Sequence, residues 1–143
     1  LQQSLADFQP PTADERQAVH VEMNPQAKTT PLVHAMGALL EDWEPLRAAQ
    51  GTGFADLNRA KLAKLAQHSH SAGKILGDLA KDKSLKEWGD DFVAEMQATA
   101  DACNQFGKSL QSATEGGLTA EQLGDKFKAI GMRCGACHNT YRN

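Results

Sequence analysis

An all-helical chain, folded as an antiparallel up-and-down four-helix bundle, is what the sequence predicts, on three observations. Ala and Leu are plentiful and β-branched residues scarce, which favours helix over strand. Apolar residues recur at steps of three and four in four separate stretches between residues 31 and 143. The stretches are joined by short connections, which make successive helices antiparallel neighbours.

At 143 residues the chain is large enough for one domain with a real core. Residues 1–30 read as an N-terminal extension and 31–143 as the bundle. The formal charge is only −3 and no basic cluster is present, which argues against nucleic-acid binding. No apolar run is long enough for a membrane span. Leu1 is not followed by a charged and then apolar leader pattern, so the chain reads as a mature form or a cytosolic protein.

The extension holds Pro10, Pro11 and Pro25 among many Gln, Thr and Ala. One short amphipathic helix fits there, from about Ala13 to Met23, with His20 and Met23 three apart; a polar arm packed on the surface is the favoured reading. The first bundle helix is capped by Thr30, and Pro31 suits its first position, where an N–H would be unpaired anyway. Leu32, Met36, Leu39 and Trp43 form its apolar stripe. Pro45 predicts an end or kink near Trp43 or Glu44, and Gln50 to Gly53 a loop. The second helix is expected over Phe54–Leu79, with Leu57, Leu65, His68, Ala72, Ile75 and Leu79 on one side, Leu62 and Leu76 flanking them, and a turn at Lys81–Lys83. A capping box, Ser84-Leu85-Lys86-Glu87, should open the third helix, whose stripe is Phe92, Met96, Thr99, Cys103, Phe106 and Leu110. Glu115-Gly116-Gly117 breaks it. A second capping box, Thr119-Ala120-Glu121-Gln122, opens the fourth helix, with Leu118 and Leu123 placed for a hydrophobic staple. Its stripe is Leu123, Phe127, Ile130, Cys134, Cys137 and Tyr141.

That last helix carries Cys134-Gly135-Ala136-Cys137-His138, a C-x-x-C-H, the pattern for covalent attachment of haem c. Two thiols three residues apart share a helix face and can reach the two vinyl groups on one porphyrin edge. The histidine directly after the second cysteine then lies under the iron and donates a ring nitrogen. A structural zinc site would need a second ligand pair at knuckle spacing, and a thioredoxin-like motif would need a βαβ unit; the sequence offers neither. The expected architecture is therefore a four-helix bundle with one covalent haem on its C-terminal helix.

A C-x-x-C-H this late in a four-helix chain is unusual among small cytochromes. Two stretches carry a resemblance: Gly131-Met132-Arg133-Cys134-Gly135-Ala136-Cys137-His138-Asn139-Thr140-Tyr141-Arg142, and Met36-Gly37-Ala38-Leu39-Leu40-Glu41-Asp42-Trp43-Glu44-Pro45-Leu46. Over residues 30–143 the chain resembles the class II c-type cytochromes, the cytochrome c-prime family and its low-spin relatives. The resemblance implies thioether bonds at Cys134 and Cys137, His138 as proximal iron ligand and Arg142 as the family's basic residue one turn on. It implies Met36 at the distal position, a sixth ligand in some low-spin members and a non-bonding blocker in five-coordinate ones. It also implies a bacterial periplasmic location, and a homodimer formed through the first two helices. Many family members carry an arginine one turn before the distal residue; Leu32 stands there instead.

On spacing alone Met36 is core filler; the resemblance makes it the distal candidate. His34, two residues away, points to roughly the opposite side and is expected in solvent. His68 and His70 cannot form one site on a helix, and read as an edge histidine and a solvated one. Cys103 has no intramolecular partner once two thiols are used, and reads as a small buried hydrophobe. Met96 and Met132 read as packing residues, and Arg133 and Lys128 as candidates to pair with a haem propionate.

Electron transfer to and from redox partner proteins is the leading expectation, with His138 and Met36 as axial ligands. The alternative is a five-coordinate haem that binds nitric oxide or carbon monoxide at an open distal site. A haem enzyme such as a peroxidase would need distal acid–base groups. The stripe around Met36 offers Leu32, Leu39 and Trp43, so no enzymatic activity is expected.

Overall fold

The structure is a computed structural model, and it describes residues 30–113 and 115–141. The helix expected between Ala13 and Met23, and Arg142, lie outside those residues. The described chain is all-helical, with four α-helices and one 3₁₀ segment packed against one another. None of these helices is long and apolar enough to cross a membrane.

Helix α1 (Pro31–Gly51) starts where expected. The Val33 N–H donates to Thr30 Oγ1 at 3.3 Å, and Pro31 sits at the first position. It does not end at Pro45 but runs through it. The proline removes the hydrogen bond to the Glu41 carbonyl, yet Glu41 is exposed, so water can take its place. Leu46 and Ala49, beyond the proline, are buried, and that packing holds the last turns in line.

The expected start of α2 at Phe54 is five residues early. Gly53, Phe54 and Asp56 have φ of 64°, 55° and 53°. A left-handed backbone cannot belong to a right-handed helix, and for Phe54 it carries a steric cost. Burial of the Phe54 ring between Phe106 and Phe127, at centroid distances of 5.9 and 6.1 Å, offsets that cost. Helix α2 (Arg59–Lys81) is capped instead by Asn58, whose Oδ1 accepts from the Lys61 N–H at 2.9 Å.

The buried line of α2 also differs from the expected stripe. It runs through Leu62, Leu65, Ala66, Ser69, Ala72, Gly73, Leu76 and Leu79, leaving His68 and Ile75 half-buried. Small residues bring α2 close to α3 (Asp90–Ala113): Ser69 Oγ donates to the Cys103 carbonyl at 2.6 Å. A search for large apolar side chains overlooks a seam built from Ala, Ser and Gly.

The Ser84 capping box is not used. Asp82 Oδ1 accepts from both the Ser84 N–H and Oγ at 2.8 Å and opens a 3₁₀ segment, Lys83–Trp88. Gly89, at φ 96°, separates that segment from α3. The α3 stripe is buried along its whole length, from Phe92 to Leu110. Helix α4 (Ala120–Tyr141) has its capping box: the Thr119 N–H donates to Gln122 Oε1 at 2.9 Å and the Gln122 N–H to Thr119 Oγ1 at 3.2 Å.

α2 and α3 share the broadest interface, with α1 packed on α2 and α4 on α3. α1 and α4 meet where Trp43 lies 4.5 Å from Phe127, centroid to centroid. α1 is buried only beyond that contact, at Leu46 and Ala49, and α4 only at Leu123, Phe127 and Ile130. The other halves of α1 and α4 flank a cleft.

Candidate functional site

The cleft is walled by the first half of α1, the first half of α3 and the last three turns of α4. Its inner lobe is lined by Met36, Leu39, Trp43, Leu76, Met96, Cys103, Cys134, Cys137 and His138, among others. Its outer lobe, of about 510 Å³, runs on past Leu32, Val33, Gly37, Trp88, Phe92 and Tyr141. Met36, Met96, Cys137 and His138 line both lobes, so the two are one continuous site. The outer lobe alone falls within the few hundred to a thousand Å³ usual for a small-molecule or cofactor site.

Local sequence dictates how each side chain arrives there. On α4, Ile130, Cys134, Cys137 and Tyr141 follow one another at steps of four, three and four, so the buried stripe of its first half becomes the cleft wall of its second. Tyr141 is held by Phe92 in an edge-to-face contact at 4.9 Å, and Trp88 lies 5.2 Å from Phe92. This aromatic group anchors the C-terminal end of α4 to the start of α3. On α1, Leu32, Met36, Leu39 and Trp43 present the facing wall, and all four are half-buried.

Cys134 and Cys137 are therefore brought to the same cleft as Met36, and His138, more exposed, stands at its edge. Burial pushes the Cys134 thiol above its ordinary value, reinforced by Cys137, and burial followed by the Glu95 charge does the same for Cys137. Both are thiols rather than thiolates at neutral pH, the opposite of the depressed value a redox-active C-x-x-C needs. Among the described residues no three His, Cys, Asp or Glu side chains converge to hold a bare metal ion. The donor set instead suits a flat apolar macrocycle: two thiols on one helix face, an imidazole beside them and apolar walls opposite.

The other candidates are distributed as follows. His34 is exposed, as its spacing from Met36 requires. His68 is an edge histidine whose Nδ1 lies 2.9 Å from Asp42 Oδ1, tying α2 to α1. His70 is not solvated: it is half-buried, 3.4 Å from Asn104 Oδ1, with its ring over Gly107. The missing side chain at Gly107 makes the room that periodicity could not show. Cys103 is buried at the back of the inner lobe. Met96 is buried, Met132 is 68% exposed rather than packed, and Lys128 is exposed. Arg133 is already engaged, its Nη1 donating to Glu95 Oε1 at 2.9 Å.

Glu95 is what sequence reading missed; Phe92 and Tyr141 lie on expected stripes, and only their meeting with Trp88 in one group does not follow from the sequence. Glu95 sits one position off the α3 stripe, between Phe92 and Thr99, and that flank turns into the cleft because α4 covers α3 only in part. Trp88 precedes α3, in the 3₁₀ segment, where helical periodicity does not apply.

No protein-family model, curated protein or solved structure matches this chain. The functional reading accordingly rests on the residues themselves.

Proposed function

We propose that this chain is a c-type cytochrome of the class II kind: an antiparallel up-and-down four-helix bundle over residues 31–143, carrying one covalent haem c and transferring electrons in a bacterial periplasm. The observation that carries this reading is the sharing of one apolar cleft by Cys134, Cys137 and His138 on α4 and by Met36 on α1. Bundle cofactor sites lie between facing helices in this way.

In this reading each residue has one task. Cys134 and Cys137 supply the sulfurs of two thioether bonds and fix the macrocycle along α4. His138 lends a ring nitrogen as proximal ligand, and Met36 brings its thioether sulfur from the opposite wall. Leu39, Trp43, Leu76 and Met96 exclude water and keep the local dielectric low. When bound, the haem supplies a one-electron iron couple, and a His/Met ligand pair raises its potential. Redox partner proteins are the natural partners for such a site.

A second reading has its own support. The Thr99 hydroxyl in the inner lobe already donates to the Glu95 carbonyl at 2.8 Å, and Met36 is flanked in that lobe by Leu39, Leu40 and Trp43. If Met36 does not bind iron, that wall suits neutral diatomics such as nitric oxide or carbon monoxide.

The test is the visible spectrum of the purified protein, oxidised and reduced, with and without carbon monoxide. Sharp, split reduced bands indifferent to carbon monoxide are the expected result. High-spin bands that shift with carbon monoxide select the second reading, and a protein made with the haem-attachment machinery that shows no haem bands overturns both. Met36→Ala should turn the low-spin spectrum high-spin, and His138→Ala should abolish the native spectrum.

A further inference from the structure

Among the described residues Glu95 is the acidic side chain that lines the cleft, and its pairing with Arg133 is oriented. Glu95 lines the inner lobe, whereas Arg133, which binds it at 2.9 Å, does not. The arginine side chain is also the more exposed of the two, 46% against 34%. The pair therefore presents its negative end to the cleft and its positive end to water. The negative end faces the attachment residues, since Glu95 lines the same lobe as Cys134, Cys137 and His138. Hydrogen bonding also fixes the carboxylate: Glu95 Oε1 accepts from Arg133 and lies 3.4 Å from Thr99 Oγ1.

From this geometry we infer that the Glu95–Arg133 pair sets the reduction potential of the site, with Glu95 holding it down and Arg133 moderating Glu95. The inference rests on the haem reading above. Reduction brings one electron from a redox partner to the iron and makes the site more negative by one charge. A fixed carboxylate facing that site opposes the added charge. Glu95 is a positioning and tuning group here and touches no reacting atom.

The experiment is a potentiometric titration of the haem-loaded full chain in four forms: wild type, Glu95→Gln, Arg133→Gln and the double variant. Glu95→Gln should raise the midpoint potential by roughly 59 mV, a tenfold change in the one-electron equilibrium constant. Arg133→Gln should lower it, and the double variant should fall between the two single variants, because the potentials of the two charges at the site superpose. The shifts should shrink as salt is added. A merely structural pair would move both single variants in the same direction, or neither, and that result overturns the inference while leaving the haem bands intact. A wild-type protein without haem bands overturns the underlying reading, and this inference with it.

Discussion

The two ends of the molecule are packed by opposite rules. At the end where α1 finishes and α4 begins, Leu46, Phe54, Phe106, Leu123 and Phe127 are buried, and Phe54, Phe106 and Phe127 stack within about 6 Å of one another. At the other end, Leu32, Met36, Leu39, Cys134, Cys137 and Tyr141 are as suited to a core yet remain half-buried around open space. Val33 and Leu40 on α1 are more than half exposed there. The boundary is the Trp43–Phe127 contact. Interiors close-pack when nothing prevents it, yet among the described residues no side chain closes this apolar region. The C-x-x-C-H falls in the open half.

Truncating one large side chain in each end puts this contrast to measurement. Phe106→Ala, in the closed end, should cost about 4 kcal/mol of unfolding free energy, through lost burial plus the cavity left behind. Leu39→Ala, in the cleft wall, should cost about 1 kcal/mol in the haem-free protein, since the methyls removed already border open space. Urea denaturation of the two variants checks this. Equal costs would mean that the cleft closes in solution. With haem loaded, the Leu39→Ala cost should rise, because the wall then has a partner.

The inward stripes were legible in the sequence, because both ends use the same periodicity, but the division between the ends was not. The stripe Leu123–Phe127–Ile130–Cys134–Cys137–Tyr141 does face inward as one line, and the α3 stripe is buried throughout. What periodicity cannot tell is which half of a stripe meets a neighbour, for that depends on how far α1 and α4 diverge. The misjudged details share a cause. Phe54 took a left-handed backbone because its ring could be buried, Pro45 stayed inside α1 because Leu46 and Ala49 were buried beyond it, and His70 was covered because Gly107 left room. In each case a tertiary contact overrode a local preference.

Cys103 lies where the two ends meet, and alkaline pH probes it. Burial, followed by the nearby Cys134, pushes its thiol from 9.0 up to about 12. The unfolded chain loses this proton first as pH rises, so the folded state holds more protons between those values and stability falls with pH there. The contribution is complete below pH 9 and is lost progressively up to about pH 12. Cys103→Ala should therefore flatten the decline of stability over that window relative to wild type, by an amount on the order of 4 kcal/mol at its top. Chemical denaturation of both proteins at stepped pH reads the difference. Parallel curves would mean that the thiol is reached by water through the cleft.

The smallest effect is the sharpest comparison, because it changes sign between the close-packed α2–α3 seam and the cleft. Gly73 lies in the α2–α3 seam, where an added Cβ would stand 2.7 Å from Asn104 Oδ1 and 3.0 Å from the Ala100 carbonyl oxygen. The Asn104 side chain could swing aside at the expense of its contact with His70, but the carbonyl belongs to the α3 backbone and can retreat only if the helices part. Gly73→Ala should thus cost about 1–3 kcal/mol despite alanine's better helix propensity. Gly37 lies on α1 beside the outer lobe, and an added Cβ there meets nothing within 4 Å. Gly37→Ala should stabilise the haem-free protein by about 0.5–1 kcal/mol, the propensity gain alone. Thermal unfolding of the two variants should therefore move in opposite directions. A loss of stability at Gly37 would show that the first turns of α1 are packed rather than open, and the contrast between a closed and an open end would fail there.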